Sequence, residues 1–357
     1  MRIMYKMYRI NAILFMLVLY CATTCSKGMT EIEALGAKPN HCTYEYAYDM
    51  YGAHCADLRL SKIPSLRSGI EILDFSDNKL QELTGDTLSS YTSIKFLYLA
   101  DNQIYLIEDD ALSSLTDLQT LDLSNNVILE LPKKIFQLPS LRKLYLKGNP
   151  LIHMSLNDLV SFQPVKAPLE LLDLSNCRIK VLPKWGILSQ LIFYNISHNP
   201  LISIDPHHFS SMCNLGKVDI TDSIDNIKIC DLKPTIMWFQ NKSVYFELAD
   251  YSRLNSGEYE SCPVLNGTHM NINNATFNLC KAELLQVQNI KAARKTWLTI
   301  SGSLFGFLVG FILLLYIMHR HNVAQTKKPS PEKLKETKKP SGDADKRATV
   351  VLLDNMS

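Results

Sequence analysis

Nine cysteines and nine histidines are the residues of this chain best suited to chemistry. Metal ligation and nucleophilic catalysis each need them in particular patterns. His41-Cys42 and His54-Cys55 each place a ring nitrogen beside a thiol, but their spacing fits no zinc pattern. His207-His208 follows Asp205-Pro206 in what reads as a solvated loop, and Glu108, Asp109 and Asp110 read as a surface charge cluster rather than a calcium site. There is no G-x-S-x-G elbow, no Walker A loop and no H-E-x-x-H pair. The sequence is therefore read as non-enzymatic, with no cofactor and no metal.

What remains for the cysteines is cross-linking, and the rest of the chain supplies the compartment for it. The net charge of +2 gives no case for a nucleic-acid partner. It is unevenly spread. Arg2, Lys6 and Arg9 precede an apolar run from Ala12 to Tyr20 and then small residues, which is the order of a secretory signal peptide. Nine residues of helix reach only about 14 Å, too short to span a bilayer; removal is expected between Ala22 and Ser26. Trp297 to Met318 is free of charge and, as helix, about 33 Å long, enough to cross. His319, Arg320 and His321 stop it, and Lys327, Lys328, Lys333, Lys335 and Lys338 follow. The basic excess after the span predicts a single-pass type I protein of the plasma membrane, with residues 26–296 outside.

Cys42, Cys55, Cys177, Cys213, Cys230, Cys262 and Cys280 all fall in that outer part, where disulfides persist. Seven is odd, so at least one is unpaired within the chain or is used between chains. Asn195, Asn241, Asn266 and Asn274 head glycosylation sequons on the same side.

The outer part repeats itself. Segments beginning at Ile70, Ile94, Leu118, Leu141, Leu169, Leu191 and Leu215 share apolar-x-x-apolar-x-apolar-x-x-Asn-x-apolar, decaying in the last copy. Positions 4 and 6 alternate with polar neighbours, the pattern of a half-buried strand. One such strand cannot bury its apolar face alone, but stacked copies can. Position 9 reads Asn78, Asn102, Asn126, Asn149, Cys177, Asn199 and Ser223. An amide there can bond backbone groups of adjacent coils. Cys177 stands in for one amide and is the candidate for the unpaired cysteine.

Period and pattern together resemble the leucine-rich repeat family. The resemblance implies an α/β solenoid: a horseshoe with a parallel β-sheet on its concave face, disulfide caps and, here, one transmembrane helix. Cys42 and Cys55 look like the family's N-terminal cysteine cap, which implies that they pair. Cys213, Cys230, Cys262 and Cys280 could close a C-terminal cap in two bridges, but Trp238 follows Cys230, against the usual order, and the pairing stays open. The expected organisation is a signal peptide over 1–25, an N-terminal cysteine cap over 26–69, seven repeats over 70–225, a C-terminal cap over 226–281, a juxtamembrane stalk over 282–296, the span over 297–318 and a disordered basic tail over 319–357.

Positions 3, 5 and 7 of each strand face away from the core. Phe96, Tyr98, Asp122, Lys143, Tyr145, Lys147 and Asp173 are the candidate ligand contacts there, the aromatics and lysines ahead of the aspartates, which are ordinary repeat filling. A glycan on Asn195 would stand on the same face. Gly302, Gly306 and Gly310 share one face of the membrane helix and could hold a second copy closely. The repeats are similar to those of Toll-like receptor ectodomains, without their intracellular domain. The functional expectation is a recognition, adhesion or co-receptor molecule that binds an extracellular protein ligand or receptor. An innate-immune receptor and a lateral adaptor acting through the glycine face are the alternatives.

Overall fold

A computed structural model describes residues 41–151, 165–247, 257–263 and 267–326. They fall in two units, one ending at Gln288 and one beginning at Asn289. The first holds a ten-stranded sheet. Its edge is an antiparallel hairpin of β1 (Thr43–Ala47) and β2 (Met50–His54). Eight parallel strands follow, each three residues long: β3 (Ile72–Asp74), β5 (Phe96–Tyr98), β7 (Thr120–Asp122), β8 (Lys143–Tyr145), β9 (Leu171–Asp173), β10 (Phe193–Asn195), β11 (Lys217–Asp219) and β12 (Tyr245–Glu247). A second, two-stranded sheet pairs β4 (Glu82–Leu83) with β6 (Leu106–Ile107) on the return arcs of the first two coils.

The register follows the repeat. Ala53, Leu73, Leu97, Leu121, Leu144, Leu172, Tyr194, Val218 and Phe246 lie side by side in one column. From Ala53 to Val218 this column is buried and forms the spine of the core. Tyr194 is the polar intruder, and its hydroxyl accepts a hydrogen bond from Trp185 Nε1 at 3.1 Å. Burial pushes its phenol pKa up, so it remains a neutral hydrogen-bonding group.

After each strand the chain must turn sharply, and two positions make that possible. Position 8 is left-handed in each of the seven repeats: Asp77, Asp101, Asn125, Gly148, Asn176, His198 and Asp222 all have φ between 53° and 76°. These are the residue types that tolerate that region. At Gly148 a Cβ would lie 2.5 Å from Asn125 Oδ1, so any other residue would have to push that side chain aside. Position 9 then ties each coil to its neighbour. Asn126 Oδ1 accepts from Ile104 N–H at 2.9 Å, while its Nδ2 donates to the carbonyls of Leu99 and Leu123, both at 2.9 Å. Asn78, Asn102, Asn149 and Asn199 repeat this bond for bond. Ser223 keeps the donor role through Oγ to Ile196 O and accepts from Asn199 N–H. Cys177 Sγ donates to Leu146 O at 3.2 Å but provides no amide oxygen, and Leu151 N–H turns instead to the carbonyls of Asn149 and Cys177.

The ends are closed by sulfur. Cys42 is bridged to Cys55, Cys213 to Cys280 and Cys230 to Cys262. Cys177 is the free cysteine among the described residues, and it is buried. The C-terminal cap holds more than the sequence predicts. Helix α1 (Ile229–Lys242) replaces a return arc, burying Ile229, Leu232, Ile236, Trp238 and Phe239, and delivers the chain to β12, an eighth coil. Thr235 Oγ1 on α1 donates to Ile204 O. A short helix α2 (Gly257–Ser261) leads to Cys262.

Helix α3 (Gly267–Thr326) corrects the expected organisation. The stalk over 282–296 is helix throughout, and residues 319–326, expected in the disordered tail, continue it. The physical reason is local: no glycine or proline interrupts Ala282 to Ser301, and no proline lies between Pro263 and Pro329. In the first unit α3 packs on the cap through Phe277 against Trp238, with Glu283 accepting from Ser189 Oγ. Within α3, residues 273–324 are long and apolar enough to cross a membrane. The signal peptide, residues 327–357 and Asn266 lie outside the described residues.

Candidate functional site

The same register that aligns the core aligns the side chains facing the other way. Column 3 runs Gly52, Ile72, Phe96, Thr120, Lys143, Leu171, Phe193, Lys217, Tyr245. Column 5 runs His54, Asp74, Tyr98, Asp122, Tyr145, Asp173, Asn195, Asp219. The structure thus brings Phe96, Tyr98, Asp122, Lys143, Tyr145 and Asp173 onto one face. Lys147, at position 7 of the coil that carries Tyr145, is exposed beside them.

Individual residues differ in their freedom. Lys143 is exposed; Phe96, Tyr98 and Tyr145 are half-buried. Thr120, a position-3 residue expected to face outward, is buried. The aspartates do structural work. Oδ1 of Asp74, Asp122, Asp173 and Asp219 each accepts from the backbone N–H two residues on, at 2.9 to 3.1 Å. This turn bond commits one oxygen of each carboxylate. Asn195 makes the same bond to Ser197 and also accepts from Ser197 Oγ.

Electrostatics ties the column together. Burial raises the Tyr98 pKa, and Asp122 and Asp74 raise it further. Tyr145 is raised in the same way, by burial and then by Asp122, Tyr98 and Asp173. Both phenols are therefore neutral donors at physiological pH. Along one rim the coils are cross-linked by ion pairs, Lys95 to Glu71 and Arg142 to Glu170 at 3.5 Å. The Lys95 hydrogen bond holds the Glu71 carboxyl below its usual range.

Sequence reasoning missed part of this face. His54, 3.2 Å from Glu45, extends column 5 onto the N-terminal hairpin, whose strands do not follow the repeat pattern. Tyr245 extends column 3 on the eighth coil. Lys217 reaches over the rings of both Phe193 and Tyr245, at 5.5 and 5.6 Å. The alternation in Val244-Tyr245-Phe246-Glu247 was the available signal for that coil.

The other candidates separate. Asn241 is exposed, whereas Asn274 is partly covered and its Oδ1 accepts from Lys242 Nζ at 3.1 Å. Gly302, Gly306 and Gly310 each have open space where a side chain would be. His207 is exposed as a solvated loop requires, but His208 corrects that expectation. His208 is buried, its Nδ1 accepts from Asp205 N–H at 3.1 Å, and burial and then His207 lower its pKa to about 4. Donor atoms of Asp205, His207 and His208 lie within 4.8 Å of one another, the kind of group that could hold a metal. The His208 nitrogen is already engaged in capping the short turn that follows Asp205.

Residues 97–151 match the family model described as Leucine rich repeat. These coils are leucine-rich repeats. The crystal structure of human 5T4 (Wnt-activated inhibitory factor 1, trophoblast glycoprotein) is similar to the repeat chain at 21% identity, with a TM-score of 0.47 over 60% of this chain and 81% of that one. Comparison with curated proteins gives no significant match.

Proposed function

We propose that this leucine-rich repeat protein recognises a protein partner outside the cell, as an adhesion molecule or co-receptor, through the concave face of its repeats. The observation that carries this is the strand register. It gathers Phe96, Tyr98, Asp122, Lys143, Tyr145 and Asp173 from four successive coils into one continuous, half-exposed surface. Interfaces favour such aromatic anchors with charge around them. Three disulfides and the sequons support an extracellular position for the repeats, and α3 supports attachment to a membrane. Plasma-membrane, type I topology is the arrangement consistent with the basic residues after Met318.

The test is proximity labelling on intact cells with the full-length chain tagged outside. Tyr98→Ala with Tyr145→Ala should remove a discrete set of labelled proteins while surface level stays constant. An unchanged labelling profile would sink the reading.

A second reading has its own observation: the three glycines expose backbone along one helix face, where a second copy or another membrane protein can approach. Gly306→Ile should then weaken association in a membrane two-hybrid assay, and equal signals from both forms would remove it.

A further inference from the structure

Tyr98 and Tyr145 are unlike the other column 5 residues in being large, and unlike ordinary surface aromatics in what surrounds them. Tyr98 stands between Asp74 and Asp122, and Tyr145 between Asp122 and Asp173. Each of these carboxylates has Oδ1 held by its own turn, which fixes the group in place. Among the described residues, no lysine, arginine or histidine comes within ion-pair distance of Asp74, Asp122 or Asp173. Nor does a described residue hydrogen-bond either phenol hydroxyl. The face thus holds two repeats of one arrangement: a ring flanked on both sides by oriented, uncompensated carboxylate oxygens.

We infer that each tyrosine with its two flanking aspartates is a subsite for a guanidinium group, so that the partner docks an arginine-bearing segment on this face. The inference rests on the concave-face reading above. A guanidinium suits the arrangement better than an ammonium, because its plane stacks on a ring while its forked N–H groups reach carboxylates. Strand spacing sets the distance between subsites. Tyr98 and Tyr145 are two strands apart, which at about 4.8 Å per strand is roughly 9.6 Å. A polyproline II segment advances about 3.1 Å per residue and returns to the same face every third residue. Two arginines three residues apart therefore match the two rings. Lys143 and Lys147 are exposed on the coil of Tyr145, so the Tyr98 subsite is the more favourable of the two.

The test uses full-length protein in lipid nanodiscs and a fluorescent peptide of Arg-Pro-Pro repeats, read by anisotropy. Asp122→Asn keeps the turn acceptor and removes the charge shared by both subsites. It should weaken peptide binding by about tenfold, the combined size of two guanidinium–carboxylate pairs, one in each subsite. Asp219→Asn makes the same change at a position with no tyrosine beside it in column 5 and should alter binding less than about twofold. A lysine peptide of equal charge should bind more weakly, and added salt should weaken the arginine peptide. Equal losses in both variants, or equal binding of the two peptides, would mean diffuse acidity and overturn the assignment. Failure of the arginine peptide to bind would overturn it too, even if Tyr98→Ala with Tyr145→Ala still abolished cell-surface labelling. That combination leaves the binding face standing and removes only its proposed chemistry.

Discussion

The turn side of the coils and their concave face are built from the same three-residue strands, yet they answer to different demands. On the turn side the position 9 amides bond backbone groups of the adjacent coil, so the residue type repeats: asparagine at most position 9 sites, a left-handed-tolerant residue at position 8. On the concave face only the aspartate turn bond recurs. The remaining residues change from coil to coil without disturbing the stack. The stack therefore determines where the outward side chains stand and leaves their chemistry open.

The difference can be probed from the side with most at stake. Asn126→Ala strands the Ile104 N–H in the core and takes one of two donors from each of Leu99 O and Leu123 O, which keep the bonds from Asn102 and Asn149; it should destabilise the protein by about 4 kcal/mol in chemical denaturation, at roughly 1–3 kcal/mol for the stranded donor and roughly 1 kcal/mol for each further bond lost. A loss below about 1 kcal/mol would mean that the ladder is dispensable.

Acid comes next. His208 has a folded pKa of about 4, below the usual 6.5, so the unfolded chain binds the extra proton first. Stability is then present above pH 6.5 and falls as the pH drops toward 4, by about 3 kcal/mol. His208→Gln should flatten that part of the pH profile, and an unaltered profile would assign the acid sensitivity elsewhere.

Cys177 separates packing from reactivity. Burial pushes its thiol up to about 12, so a thiol reagent at pH 8 should modify it only after denaturation. Rapid labelling of the native protein would show that the interior opens there. The smallest effect belongs to the face: Asp122→Asn should shift stability by less than about 0.5 kcal/mol, because the amide oxygen can keep the Ser124 N–H.

The same contrast explains what the sequence showed. Position 4 leucines, the position 9 amides and the odd cysteine were legible because their roles are set by neighbours that repeat. Thr120 holds its expected place in column 3 yet is buried, because period 2 says which way a side chain points, not how exposed it is between Phe96 and Lys143. The second role of Asp122 and Asp173 was hidden because a turn bond and an exposed charge look alike in sequence. The eighth coil was hidden by α1, which occupies the place of a return arc and hides the spacing to Tyr245. Helix α3 outran its expected limits because apolarity marks a span, whereas the polar run before it is helical through propensity alone.

The closing bridges have a consequence for how the molecule comes apart. A coil in the middle of the stack is held from both sides, while a terminal one is held from a single side and would fray first. Cys42–Cys55 clasps one extremity, and Cys213–Cys280 with Cys230–Cys262 clasps the other. Reduction should therefore loosen the protein from its tips inward, with amide protons of β3 and β11 exchanging well before those of β7 and β8.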